Sequence, residues 1–339
     1  MANLTLEDIA KKAGVSRSTV SRVINNQPNV RGIVRDRVME VIKDTGYQPN
    51  MAARSLASQR TSMIGLVLMH SVTSFFTDPY FPRLVQGIAQ RCTHHDNTLG
   101  LFLITSTEDE EKVFPRVSRS GLLDGVIVQA GHHGDPLVSR LEEIEIPKII
   151  IGRPSNPDNV SYIDVENVEG AYIAVSHLLQ NGHRRIGTIT GPLDSSAGDD
   201  RQRGYLNALQ ERQIPVEEEL IVEGDFSEAG GYHAMKKLLP VQPEAVFAAS
   251  DIMAVGAMRA VREAGLKIPD DIAFVGFDDL QMPIPPNPLL TTVRQPIYRF
   301  GVTAVDILID MINHENTTPR RVIMSTELVI RESCGSKYQ

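Results

Sequence analysis

The hydrophobic rhythm of the chain changes once, near residue 60. Before that point apolar residues recur three and four apart: Leu6, Ile9, Ala10 and Ala13, then Val20, Val23 and Ile24, then Val34, Val38, Val41 and Ile42. That spacing predicts three short amphipathic helices. Thr5 with Asp8 reads as a capping box and Gly14 as the stop of the first helix. Ser16 caps a second helix reaching Asn25, and a third spans about 33–45 before Gly46. A helix, a tight glycine turn and a second helix make a helix-turn-helix, whose second helix fits the major groove of DNA. Wound at about 100° per residue, that helix puts Arg17, Ser18, Ser21, Arg22 and Asn25 on one arc, and the arc carries no acid.

From Met63 onward the pattern becomes short apolar runs separated by helical stretches. Runs at 64–69, 99–104, 125–129, 148–151, 186–189, 245–248 and 273–277 suit parallel strands buried on both faces. The fold class predicted is an all-α helix-turn-helix headpiece plus an α/β core of two doubly wound parallel-sheet lobes. Such sheets bind ligands beyond the carboxyl ends of their strands. Between headpiece and core lies QPNMAARSLASQ. Pro49 can open a helix there, but 51–58 is shorter than the roughly dozen residues an isolated helix needs, so it is expected to fold only against a partner.

Charge sharpens this division. Residues 1–60 hold ten Lys/Arg and five Asp/Glu, a net of +5; against −8 for the whole chain, residues 61–339 carry −13. A basic module on an acidic body attracts phosphate backbones at one end only. No apolar run approaches the roughly 20 residues that span a bilayer, and the start lacks a signal-peptide pattern. A cytoplasmic protein with no membrane partner is expected. Cys92 and Cys334 are far apart, with no thiol or histidine at metal spacing beside them, and read as packing residues. His94–His95 and His132–His133 have no carboxylate or cysteine at metal spacing, and neither a GxxxxGK[ST] loop nor a GxSxG elbow occurs. The expectation is therefore no enzyme, no metal and no cofactor.

TLEDIAKKAGVSRSTVSRVIN followed by GYQPNMAARSLASQRTSMIGLVL closely resembles the amino-terminal segment of the lactose/galactose repressor (LacI/GalR) family of bacterial transcription regulators, continuously over about sixty residues. The resemblance implies a helix-turn-helix domain at 1–47, a hinge helix or linker at 48–60 and a periplasmic-binding-protein-like effector core at 61–336. Its first lobe would cover about 61–163 and 293–324, its second about 164–292 and 325–336. Base-reading positions carry over to Arg17, Ser18 and Arg22, in keeping with arginine's bidentate fit to guanine. Ser16, Thr19, Ser21 and Asn25 suit phosphate contact, with helix surface or cap an equal reading of Thr19 and Asn25, and Thr5 and Asn50 are further DNA-binding candidates. Leu56 matches the family's minor-groove wedge, with Ala53 allowing close approach.

Effector-binding positions implied by the resemblance are Arg201 in DDRQRGY, Phe226 in GDFSEAG, Ser250 in AASD, Asp278 in GFDD and Gln295 in TTVRQP. Asp251 is a candidate that equally fits a helix cap. Phe76 and Tyr80 in SFFTDPYF and Arg153 in KIIIGR are first-lobe candidates, as is Phe81, which equally fits the core. Carboxylate, guanidinium and flat ring together are sugar-binding chemistry. Ser250 stands where many members have asparagine, and the 70–78 loop is longer than in the lactose-repressor pattern. The aromatic loop and Arg153 point toward members that respond to glucose-containing oligosaccharides. The partners expected are pseudo-palindromic double-stranded operator DNA, a small-molecule effector and a second copy in a homodimer. The function expected is a sugar-relieved repressor; the alternatives are a corepressor-dependent regulator answering a non-sugar metabolite and a sugar-binding transport protein.

Overall fold

The computed structural model describes residues 4–24, 27–47, 60–69, 71–118, 121–129, 132, 134, 136–314 and 318–336. It divides into two compact units, 1–61 and 62–339.

The first unit holds α1 (Leu6–Ala13), α2 (Arg17–Ile24) and α3 (Gly32–Thr45). Thr5 and Asp8 satisfy each other's backbone N–H groups, at 3.3 and 2.9 Å, closing the predicted capping box. Gly14 and Gly46 take φ of +64° and +62° and stop their helices in the left-handed region. Ser16 Oγ accepts from the Thr19 N–H at 3.1 Å and starts α2. Ile9, Ala10, Ala13, Val20, Val23, Val38 and Tyr47 form the buried core; each large aliphatic side chain so buried contributes about 1.5–3 kcal/mol.

The second unit contains two six-stranded sheets. The first is built from β1 (Met63–Leu68), β2 (Thr98–Leu103), β3 (Gly125–Gln129), β4 (Lys148–Ile151), β5 (Ser161–Val165) and β11 (Arg321–Met324), in the order β11-β5-β4-β3-β1-β2, all parallel. The second, from β6 (Ile186–Thr190), β7 (Ile221–Glu223), β8 (Ala245–Ala248), β9 (Ala273–Asp278), β10 (Thr291–Arg294) and β12 (Glu327–Val329), runs β12-β10-β9-β8-β6-β7. One edge strand departs from the parallel pattern: β12 pairs antiparallel with β10. β12 follows β11 after two residues and begins beside the last residue of β10, Glu327 pairing with Arg294, so it can only run back along β10.

Helices cover both faces of each sheet: α4 (Val72–Thr77), α5 (Tyr80–His94), α6 (Thr107–Ser118), α7 (Pro136–Glu142) and α12 (Ile297–Asn313) in the first lobe, and α8 (Asn167–Gln180), α9 (Ser196–Glu211), α10 (Glu228–Leu238) and α11 (Asp251–Glu263) in the second. The strands alternate accordingly. Ile64, Leu66 and Leu68 enter one apolar cluster while Val67 enters the opposite one; Ala245 and Phe247 face one layer, Val246 and Ala248 the other.

Each sheet is wound 2-1-3-4-5, so its topological switch point lies beside its own first strand, at the β1/β3 and β6/β8 carboxyl ends. The helix α12 leaves the second sheet after β10 and packs in the first lobe against α5. The crossing is backbone-close: a Cβ on Gly87 would lie 2.2 Å from Tyr298 O, and one on Gly301 2.6 Å from Leu84 O. Gly87→Ala is expected to destabilise the core by about 1–3 kcal/mol through overpacking, read as a lowered urea midpoint with an unchanged transition slope.

Candidate functional site

In the headpiece Arg17, Ser18 and Arg22 stand exposed along α2, while Thr19 and Ser21 are half-buried. Thr5 and Ser16 already work as caps, Ser16 Oγ also lying 2.8 Å from Ser18 Oγ and Thr19 Oγ1. The arc is not wholly free of acid, because α1 brings Glu7 to 3.5 Å from the Arg17 guanidinium; both are about two-thirds exposed, so the pair is weak. Arg22 is exposed in the last turn of α2. Asn25, Asn50, Ala53 and Leu56 lie outside the described residues.

In the core, polar side chains gather at the carboxyl ends of the strands. Arg201, on α9, is 5% exposed. Its Nε donates to Asn167 Oδ1 at 2.9 Å, and Nη1 donates to Ala249 O at 2.6 Å and reaches Asp278 Oδ1 at 3.5 Å. The guanidinium stacks 3.7 Å from the Phe277 ring centroid, and Phe226 lies 5.9 Å away. Gln295 Nε2 donates to Asp278 Oδ1 at 2.5 Å. Phe226 lies against Gly191, where any Cβ would fall 2.1 Å from its ring. Phe226 and Asp278 hold φ of +57° and +120°, unusual for residues with side chains and tolerated where surrounding contacts over-determine them. Thus Arg201, Phe226, Asp278 and Gln295 converge, from four separate stretches of chain.

Ser250 Oγ accepts from the Met253 N–H at 3.3 Å and caps α11 beside this group. Asp251 is corrected. It does not cap α11: its Oδ1 accepts from Thr292 Oγ1 at 2.5 Å and its Oδ2 from the Leu280 N–H at 2.8 Å, tying α11 to the β9 and β10 ends. Burial and the neighbouring Asp278 charge push its carboxyl well above the usual range. Phe81 is likewise corrected to a core residue, 5% exposed and stacked on Phe75 at 5.9 Å. Phe76 is exposed, edge-on to Phe75. Tyr80 does turn inward: its phenol hydrogen-bonds Gln129, and burial with the charge of Asp278 raises its pKa.

Arg153 faces across to the second lobe. Its Nη2 donates to Asp200 Oδ1 at 2.7 Å, and its carbonyl accepts from Ser196 Oγ at 3.0 Å. His132 Nδ1 meets Asp194 at 3.0 Å between the same lobes. Each histidine pair therefore has a carboxylate that sequence spacing hid, His95 Nε2 lying 3.0 Å from Asp306; His133 is outside the described residues. No group of three metal-ligating side chains occurs among the described residues. Cys92 is buried, its thiol pushed up to about 11, whereas Cys334 has His177 Nε2 at 3.3 Å and is lowered to about 6 despite burial. The missing histidine is corrected: it comes from 157 residues away.

Four residues that motif reading passed over complete the cleft: Asp78, Gln129, Asp164 and Asp200. Burial raises Asp78 and Asp164 to about 6; the Tyr80 N–H restrains the first, and the Val165 N–H and Arg153 the second. Burial lifts Asp278 to about 7, with Arg201 pulling down and Asp78 pushing up. Asp279, one residue on, is the opposite case: against its burial, Arg331 and Arg294 hold it low. A polar residue at a strand's carboxyl end was the available signal for Gln129; only the folded sheets bring the acids together.

Residues 5–50 match the family of bacterial regulatory proteins named lacI, and residues 175–334 match a periplasmic binding protein-like domain. A transcriptional regulator, CelR of Thermobifida fusca, is 38% identical over 333 residues, covering 97% of this chain and 98% of its own. The chain belongs to the lacI family. The transcriptional repressor PurR of Edwardsiella ictaluri is 36% identical, covering 97% of this regulator and 96% of the relative. Among solved structures, a CelR–cellobiose complex superposes with a TM-score of 0.78 at 36% identity, covering 97% of this regulator and 99% of that chain. A Lac repressor dimer bound to operator and an anti-inducer superposes at 0.80 and 28% identity, covering 98% and 99%. The regulator is thus a helix-turn-helix DNA-binding protein with an effector core. No described helix is long and apolar enough to cross a membrane.

The raised carboxylates have a stability consequence. Asp78, Asp164 and Asp278 bind protons more tightly folded than unfolded, so their contribution is fully present below about pH 4 and is lost as pH rises through 6 to 7. The ligand-free core is expected to melt progressively lower between about pH 4 and 7, and Asp78→Asn to flatten the part of that slope below about pH 6 in differential scanning calorimetry.

Proposed function

We propose that this protein is a homodimeric repressor, without catalytic activity, that binds a pseudo-palindromic operator through paired α2 helices and changes its DNA affinity when a small sugar, of the gluco-oligosaccharide class, occupies the cleft between its two lobes. The observation that carries the reading is the union, in one chain, of a basic exposed helix with a buried guanidinium, carboxylate, amide and ring cluster at a sheet switch point. Arg17, Ser18 and Arg22 read bases; Ser16, Thr19, Ser21 and Asn25 hold phosphates; Thr5 and Asn50 add further DNA contacts; Leu56 wedges between base steps, with Ala53 beside it. Arg201, Phe226, Ser250, Asp278 and Gln295 take the effector from the second lobe, and Tyr80 and Phe76 from the first. The solved CelR–cellobiose relative supports a glucose disaccharide.

A ligand can alter operator affinity only by its differential affinity for two states of the protein. Contacts such as Arg153 with Asp200 join the lobes, so a sugar bridging both biases their closure and, through it, the pairing of the 48–60 segments of the dimer. Release from DNA by the sugar is the sign proposed. The PurR relatives favour a second reading, a corepressor of non-sugar chemistry. Selecting DNA fragments with purified protein, with and without cellobiose, separates the two: the operator should be recovered without sugar and lost with it, whereas fragments recovered only on adding a purine would support the corepressor.

Arg22→Ala is expected to weaken operator binding by about 10- to 100-fold, the worth of a bidentate base contact, with a much smaller loss on random DNA. Equal losses in fluorescence anisotropy on both DNAs would contradict base reading. Leu56→Ala should lower operator affinity while calorimetric sugar affinity stays unchanged.

A further inference from the structure

Family membership leaves open whether the effector carries a charge, and the cleft itself bears on this. We propose that it admits uncharged, hydroxyl-rich ligands and rejects their phosphorylated counterparts, because the guanidinium groups of Arg153 and Arg201 are engaged within the protein while hydrogen-bond acceptors remain in excess. The inference rests on the cleft being the effector site.

Arg153 and Arg201 face the cleft, and each is already paired with a carboxylate. Arg153 donates to Asp200 at 2.7 Å, and Asp200 also receives Arg203 at 3.2 Å. Arg201 is committed to Asn167, to the Ala249 carbonyl and to Asp278, with the Phe277 ring against its face. A bidentate phosphate clamp needs a guanidinium fork free to turn toward the ligand. Arg153 already spends Nη2 on Asp200, and Arg201 spends Nε and Nη1 on Asn167, Ala249 and Asp278, so each offers only part of its fork.

Acceptors are in surplus. The carboxylates of Asp78, Asp164, Asp200 and Asp278 influence one another and the two arginines, so that even with Arg203 on Asp200 four acids stand against three cations. Gln129 Oε1, at the carboxyl end of β3, is buried and meets no donor among the described residues. A buried acceptor without a donor is costly, and a ligand that supplies one removes that cost. Sugar hydroxyls donate as well as accept. A phosphate dianion only accepts, and it would enter a water-poor space beside carboxylates, where like charges repel most strongly.

The test is titration calorimetry of the full-length protein at pH 8, above the values of Asp78, Asp164 and Asp278, with cellobiose and with cellobiose phosphorylated at its non-reducing 6-hydroxyl. Cellobiose is expected to bind and the phosphorylated sugar to bind at least about 100-fold more weakly. Asp78→Asn and, separately, Asp164→Asn should shrink that ratio by about tenfold, since each removes a charge while keeping an acceptor. Equal or tighter binding of the phosphorylated sugar would overturn the inference and leave the sugar reading standing. A ratio unmoved in both variants would assign the discrimination to shape and overturn it as well. Binding of neither sugar would overturn the sugar reading and this inference with it.

Discussion

A guanidinium removed from water must find partners for its donors or it is not tolerated, and Arg201 meets that demand by drawing three other segments of the second lobe to α9. Asn167 begins α8, Ala249 ends the β8 region, Asp278 ends β9 and Phe277 precedes it. An ion pair at 3.5 Å with both partners nearly buried is weak evidence for stability, because desolvation offsets much of the attraction. Its structural meaning is different. Removing either partner would strand the other in the interior, so the pair acts as a geometric specification: strand ends that could splay are held at one spacing, and Gln295 and Phe226 arrive on the same side.

That specification is placed where the topology leaves room. Both sheets are wound alike, and each leaves a crevice beside its first strand. Gln129 and Tyr80 come from the crevice of one lobe, Ser250, Phe226 and Asp278 from that of the other, so the polar group has contributions from two independently folded sheets. Arg153 and Asp200, with Ser196 and His132, tie the lobes directly. A cleft built this way responds to a bridging ligand through relative lobe position, since the densely packed sheets resist internal deformation. The close α5 and α12 crossing at Gly87 and Gly301 anchors, in the first lobe, the helix through which the chain returns from the second.

The headpiece follows another economy. Its core is a few aliphatic residues and Tyr47, and its precision comes from caps: Thr5 with Asp8, Ser16 with Thr19, glycines at +64° and +62°. Local hydrogen bonds fix the start and direction of α2, leaving Arg17, Ser18 and Arg22 outward. The approach of Glu7 to Arg17 shows that even this small face is tuned from a neighbouring helix. The separation of charge, +5 in residues 1–60 and −13 beyond, confines attraction for DNA to one module.

What the amino-acid order determined alone was everything carried by near neighbours. Helix periods, caps, left-handed glycines and apolar strand runs are interactions within a few residues, and they made the three described headpiece helices and seven of the twelve strands among the described residues readable. Five strands escaped: 161–165, 291–294 and 321–324 mix polar with apolar residues, and 221–223 and 327–329 are too short to show a period. The site residues carried over by resemblance were locally anonymous; what they touch was not written beside them. Only the tertiary structure decided that Asp251 is a strut and Phe81 a core ring, that Arg153 is met by Asp200, and that His177 stands at Cys334. The physical reason is that burial and charge neighbourhood are set by chain segments tens to hundreds of residues apart, and adjacent residues such as Asp278 and Asp279 acquire opposite electrostatics from partners that no local pattern encodes.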